Sequence, residues 1–197
     1  MTIVSPSLTF PNIAWWMQVM RAGELIIDVA EHFQKMSYRN RYHISGSNNA
    51  ILLSVPLDKG RDQRAPMSSV CICNAERWQV QHWRTLVSVY KRSPFFYHYE
   101  PSVQALFEKQ YTHLVEFNRD ALQWVMQQLK LKIDIKETSA FVKDYAEGII
   151  DLRKENTEHA ITPKYYQLFE DRIGFQPNLS ILDLLFSEGP ATAAFLK

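Results

Sequence analysis

The chain has 197 residues, 46% of them hydrophobic, and 22 Lys and Arg against 21 Asp and Glu give a formal charge of +1. This length and apolar content suffice for one sizeable core, so a single domain over residues 1–197 is expected. A charge so near zero provides no extended basic field, which argues against nucleic acid or an anionic membrane surface as partner and requires any anion to be bound locally.

Residues 3–10 are β-prone and end at the turn Pro11-Asn12. Trp15, Trp16, Val19 and Met20 then recur at helical spacing as far as Gly23. The apolar run Glu24-Leu25-Ile26-Ile27-Asp28-Val29 has the length of a buried strand. Strand, helix and strand within thirty residues make a βαβ unit, whose parallel strands leave loops for ligands at their carboxyl ends.

The stretch from Gln34 to Ile44 follows directly and is too polar for core and too aromatic for an ordinary linker. If extended, it puts Arg39, Arg41 and His43 on one face and Tyr38, Asn40 and Tyr42 on the other, with same-face neighbours about 6.8 Å apart. Two planar guanidiniums at that spacing suit one phosphate or carboxylate. Tyr38, Arg39, Asn40 and Arg41 are therefore the candidate substrate-binding residues, with Arg39 and Arg41 expected to serve an anionic ligand and contribute little to folding. The competing reading is a solvated edge strand whose charges only discourage aggregation. Asp28 at the strand end and Glu31-His32 just beyond it supply candidate acids and bases. His32 and Asp28 are the candidate catalytic residues, because an imidazole near neutral pKa beside carboxylates can move a proton. An ordinary surface histidine is the alternative.

Ser45-Gly46-Ser47-Asn48-Asn49 reads as a turn, and residues 50–57 as a third strand forming a hairpin with residues 38–44. The polar residues 58–66 read as an exposed loop able to act as a lid. Residues 68–73 alternate as a further strand, with Cys71 and Cys73 on one face. Two thiols fall short of a structural zinc set, so a reduced pair, and no metal or other cofactor, is expected. Trp83, Leu86, Val87 and Tyr90 define a helix over residues 78–92, stopped by Ser93-Pro94. The five rings from Phe95 to Tyr99 read as core packing before a ligand wall. The 3-4 spacing from Pro101 to Leu129 predicts the longest helix, broken once near Asn118. Ile133 and Ile135 then mark a short, half-buried strand.

Residues 141–163 are charge-rich and weakly patterned, the segment expected to be most flexible, and His159 within it is assigned no role. Ser180 with Asp183 three residues on has the form of a capping box before the apolar run to Phe186. Gly189-Pro190 ends that helix. These elements predict an α/β fold: one domain, a mostly parallel central sheet beginning with the βαβ unit, and flanking helices including one long one. The alternative is α+β, with the hairpin dominant and the helices on one side. No Gly-rich phosphate loop, His-Glu-x-x-His, Cys-x-x-Cys or Gly-x-Ser-x-Gly occurs, and only six glycines are present. No stretch reaches the roughly 18 apolar residues of a membrane span, and the first ten residues lack the basic start of a signal peptide. A soluble, cytoplasmic protein is expected.

Three separated motifs resemble the bacterial WbqC-like proteins. They are Glu31-His32-Phe33-Gln34-Lys35-Met36-Ser37-Tyr38-Arg39-Asn40-Arg41, then His82-Trp83-Arg84-Thr85 leading to Ser93-Pro94-Phe95-Phe96, and finally Tyr166-Gln167 through Pro177-Asn178-Leu179-Ser180-Ile181-Leu182-Asp183 to Gly189. The resemblance implies a role in surface-polysaccharide biosynthesis, with transfer of an acyl or aminoacyl group to a sugar as the family-level expectation. The implied partner is a small anionic substrate, such as a nucleotide sugar or an activated acyl donor. The chain departs from longer members in having Thr9-Phe10-Pro11-Asn12 where they carry Gln-Pro, and it looks shortened between Ser139 and Tyr165. A non-catalytic protein binding an anionic metabolite or a biosynthetic partner is the alternative.

Overall fold

The computed structural model describes residues 1–59, 65–154, 157 and 160–197. Strand β1 (Thr2–Pro6), helix α1 (Ile13–Val19) and strand β2 (Glu24–Asp28) form the expected βαβ unit, with β1 and β2 parallel. Asn12 caps α1 by accepting the Trp15 amide at 3.0 Å, which satisfies one of the helix's first unpaired donors. Strands β5 (Asp134–Glu137) and β6 (Ile149–Asp151) extend this sheet on opposite edges in the order β5-β2-β1-β6, every pairing parallel. The α/β reading with a mostly parallel sheet therefore holds. Four carboxyl ends, at Pro6, Asp28, Glu137 and Asp151, open on the same side.

The hairpin β3 (Arg41–Ile44) with β4 (Ile51–Ser54) is antiparallel and forms a separate two-stranded sheet. Helices α2 (Trp78–Tyr90), α3 (Phe96–Glu108), α4 (Leu114–Gln128) and α6 (Ile181–Glu188) supply the remaining layers, with the short α5 (Glu170–Ile173) and α7 (Thr192–Phe195) near the C-terminus. The single long helix expected over residues 101–129 is two. Its interruption lies at residues 109–113, before Asn118, where Glu116 folds back on the His113 amide and restarts the chain as α4. Residues 68–73 are no strand: a 3-10 turn at Met67–Ser69 is followed by single bridges from Cys71 to His113 and from Ile72 to Leu57. Cys71 and Cys73 are free, partly buried thiols.

Trp16, Trp78, Tyr42, Tyr90, Phe10, Phe96, Phe117 and Phe186 are completely buried, so the aromatic content is spent mainly on the core. Of the run Phe95 to Tyr99, Phe96 and Tyr99 are buried, while Tyr97 is 85% exposed. Gly189 closes α6 at φ 55°, and a Cβ there would meet the Phe95 ring at 2.4 Å, so both its backbone and its neighbour demand glycine. Asp183 is no capping-box partner. Ser180 does cap α6, but the Asp183 carboxylate accepts from Tyr90 and Tyr165 at 2.6 Å each and from Gln167 at 3.2 Å. Burial pushes its pKa up, and these donors hold it back only in part.

His82 sits among Trp78, Tyr42 and Phe107, with Nδ1 3.0 Å from the Tyr42 hydroxyl and Nε2 3.3 Å from the Ser54 carbonyl. A neutral ring that accepts at Nδ1 and donates at Nε2 satisfies both. Burial pushes its pKa down to about 4. The unfolded chain binds this proton near pH 6.5, above the native value, so stability is lost as pH falls between the two, at about 1.4 kcal/mol per pH unit. Urea unfolding at pH 6.5 and 4.5 should show that loss in the parent and not in His82→Gln. Equal pH dependence of the two proteins would exclude His82 as its source.

Candidate functional site

The segment after β2 does not continue as a strand. Residues 35–40 turn, and β3 begins only at Arg41, so Arg39 and Arg41 do not share a strand face as expected. The reason lies in where the carbonyls go. The Tyr38 carbonyl accepts the Thr9 amide at 2.9 Å, and the Arg39 carbonyl accepts the Asn118 side-chain amide at 2.9 Å. The Asn40 amide group donates to the Val55 carbonyl at 2.9 Å. Tyr38, Arg39 and Asn40 are thus pinned to the β1–α1 loop, to α4 and to the end of β4, which outweighs any local preference for an extended chain. Met36 heads the turn at φ 53°, a costly conformation for a side chain that is also 77% exposed.

Beneath the turn lies a buried charge network. Arg39 Nε and Nη2 each donate to Glu31 at 2.8 Å, a two-point pair whose side chains are both 4% exposed. Burial raises the Glu31 pKa, and Arg39 opposes that rise. Asp28 is fully buried at the carboxyl end of β2. Its Oδ1 accepts the Ala30 and Glu31 amides at 3.0 Å and the Thr138 hydroxyl at 2.8 Å, while Oδ2 accepts Arg153 Nη1 at 2.7 Å. Arg153 spends every donor: Nε and Nη2 on Asp151, Nη1 on Asp28 and the Val142 carbonyl, and Nη2 also on the Lys143 carbonyl. Its guanidinium lies 4.7 Å from the Tyr145 ring and 5.6 Å from that of Phe141. Arg153 was not among the sequence candidates, and it orders residues 141–154, which carry β6 in place of the expected flexible segment.

Three adjoining hollows flank these residues. The central one, about 390 Å³, is lined by Pro6, Leu8 and Trp15 on one side and by Lys35, Ser37, Tyr38, Arg39, Arg153 and Lys154 on the other. Arg39 is part of its wall, and its Nη1 makes no hydrogen bond within the chain among the described residues. Lys154 stands at its edge, paired to Asp144 across 3.1 Å of exposed surface. A second hollow of about 210 Å³ shares Lys35 and Met36 with the first and adds Asn40, Arg41 and Ser54. Arg41 Nε is buried without a partner among the described residues, a desolvated donor that an anionic acceptor would satisfy. A third, about 170 Å³ and mostly apolar, shares Pro6, Leu8 and Trp15 with the central one and runs under α4.

The sequence candidates therefore separate. Tyr38 and Arg39 line the central hollow, Asn40 and Arg41 the second. Asp28 lies inside the network with both oxygens engaged. His32 is exposed, bridges Pro66 through its backbone and lines none of the three hollows. Sequence reasoning gave none of Trp15, Lys35, Asn118 and Lys154 a binding role: Trp15 read as core, Lys35 lay in the singled-out stretch without one, Asn118 read as a helix break and Lys154 as flexible chain. The lid candidate loop and His159 fall largely on residues 60–64 and 158–159, outside the described residues. Among the described residues no cluster of His, Cys, Asp or Glu could hold a metal ion, and no helix is long and apolar enough to cross a membrane.

No curated protein and no solved structure matches the chain. A family model does match residues 7–160, from the β1–α1 loop through β6 and so across the turn and the charge network, which is most of the chain. The closing motif from Tyr166 to Gly189 lies beyond the matched residues. On that match, the chain belongs to the WbqC-like protein family.

Proposed function

We propose that the central hollow binds a small anionic molecule, and that the protein is a transferase of surface-polysaccharide biosynthesis that moves an acyl or aminoacyl group onto a sugar. One observation carries the reading: Lys35, Arg39 and Lys154 converge with Tyr38 on a hollow at the carboxyl ends of parallel strands, the edge where open α/β sheets receive ligands. Arg39, held by Glu31, is a fixed part of the wall, and Arg41, whose Nε has no partner among the described residues, lines the second hollow on the far side of the turn that follows Gln34. A nucleotide sugar or an activated acyl donor carries charges spaced over such a length. Asp28 acts in this reading by holding Arg153, and His32, which lines none of the three hollows, has no part in it.

A second reading, a non-catalytic protein that binds an anionic metabolite, is favoured by the state of the two carboxylates: Asp28 and Glu31 are both paired to arginines, and among the described residues no other carboxylate or histidine lines the hollow. A thermal-shift screen of nucleotide sugars, acyl thioesters and inorganic phosphate should find stabilising anions, since binding to the native state raises stability by RT ln(1 + [L]/Kd). The double variant Lys35→Ala, Lys154→Ala should weaken the best of them by roughly ten- to a hundred-fold, the scale of lost charge-assisted bonds. Unchanged affinity in that folded variant would remove the anion site. Product formation from an acyl thioester and a nucleotide sugar separates transferase from binder.

A further inference from the structure

We infer that the third hollow is the seat of an apolar group, about six carbons in size, belonging to the same ligand whose anionic part occupies the central one. This rests on the anion-binding reading above. The hollow lies between the β1–α1 loop and α4, and Leu8, Trp15, Ile27, Leu122 and Ile135 are among its apolar wall residues.

Apart from Gln123, which is exposed, its polar side chains are largely engaged by the chain. Trp15 Nε1 donates to the Ser5 hydroxyl at 2.8 Å. The Asn118 amide donates to Ser7 at 3.1 Å and to the Arg39 carbonyl, and its oxygen accepts the Thr9 hydroxyl at 2.6 Å. At the rim, Arg119 grips Glu137 through two bonds of 2.7 and 2.8 Å. A polar occupant would find few partners, and water is held poorly where it cannot make two to four hydrogen bonds. An apolar cavity of roughly 150 Å³ takes a six-carbon ring, so about 170 Å³ sets the size of the group.

The shared wall ties this group to the anion. Pro6, Leu8 and Trp15 border both hollows, so a molecule lying across Leu8 and Trp15 reaches both. Asn118 fixes their relation, because its side chain contacts the β1–α1 loop and the Arg39 backbone together. The ligand class is thus an anion with a short aliphatic or ring-sized apolar arm, as in a medium-chain acyl donor. Acetyl or glycyl donors would leave the hollow unfilled.

The test is a series of linear carboxylates, acetate, butyrate, hexanoate and octanoate, with dissociation constants from ligand-observed NMR. Affinity should rise about fourfold per methylene up to hexanoate and then level off. Leu122→Trp, which fills the hollow, should flatten the series and leave acetate unchanged. Ile135→Trp, on a partly exposed edge strand, does the same should Leu122→Trp fail to fold. Equal affinity for acetate and hexanoate would overturn the inference, as would a gradient that persists in either folded variant. The two readings fail separately: loss of the gradient with anion binding intact removes only the apolar seat. A gradient that survives Lys35→Ala, Lys154→Ala with acetate affinity also unchanged removes only the anion site.

Discussion

Replacing Arg153 with Met should lower stability by about 3 to 5 kcal/mol, the cost of leaving a buried carboxylate without its partner. For a chain of this size that is a fall in Tm of roughly 6 to 20 °C. The side chain is 4% exposed and Asp28 is fully buried, so solvent cannot replace the lost guanidinium. The same substitution frees the Val142 and Lys143 carbonyls and releases the rings of Phe141 and Tyr145, which are held to the sheet largely through Arg153. Limited proteolysis should therefore cut residues 139–148 faster in the variant than in the parent. The double variant Arg153→Met, Asp28→Asn should be less unstable than the two single losses added together, because removing both partners eliminates the stranded charge. Strict additivity would mean that Asp28 and Arg153 do not stabilise each other.

The parts of this fold that could be read from sequence are those whose signal is local. The βαβ unit was legible because β1 is β-prone, α1 has helical spacing, β2 is an apolar run of strand length, and Pro11-Asn12 and Gly23 punctuate them. The hairpin was legible from its turn and its β-rich second arm. β6 was not, because three residues of Ile-Ile-Asp among charges carry too little period to compete with a reading of flexible chain. What fixes that strand is Arg153, whose partners lie 2, 10, 11 and 125 residues away. Only the alternation Asp151-Leu152-Arg153, with Leu152 buried between two charges, hinted at a strand end. The same limit applies to the site. Composition singled out the Gln34 to Ile44 stretch, but the backbone position of Arg39 depends on Thr9 and Asn118, some 30 and 79 residues away.

That dependence separates the two arginines that spacing alone had paired. Arg39→Ala should cost about 3 kcal/mol or more at neutral pH, since it strands the Glu31 carboxylate in a place where burial already pushes its pKa up. Without Arg39 that pKa rises further, and the sign of the pH dependence follows. The native state then holds a proton that the unfolded chain gives up near pH 4.5, so stability is present at low pH and is lost as pH rises through the elevated native value. Arg39→Ala should accordingly recover part of its deficit between pH 8 and pH 5, and the further change Glu31→Gln should restore stability at pH 8. Arg41→Ala should behave differently. Its Nε has no partner among the described residues, so its removal strands no charge there, and the unfolding free energy should change by no more than about 0.5 kcal/mol. Affinity for the best anion should nevertheless fall, because a donor that a ligand can satisfy is gone. Chemical denaturation of both variants at pH 5 and pH 8, with a titration of the folded Arg41→Ala, decides the matter. Parent-like stability in Arg39→Ala would refute the Glu31 pair as a structural anchor, and parent-like affinity in Arg41→Ala would confine the ligand to the central hollow.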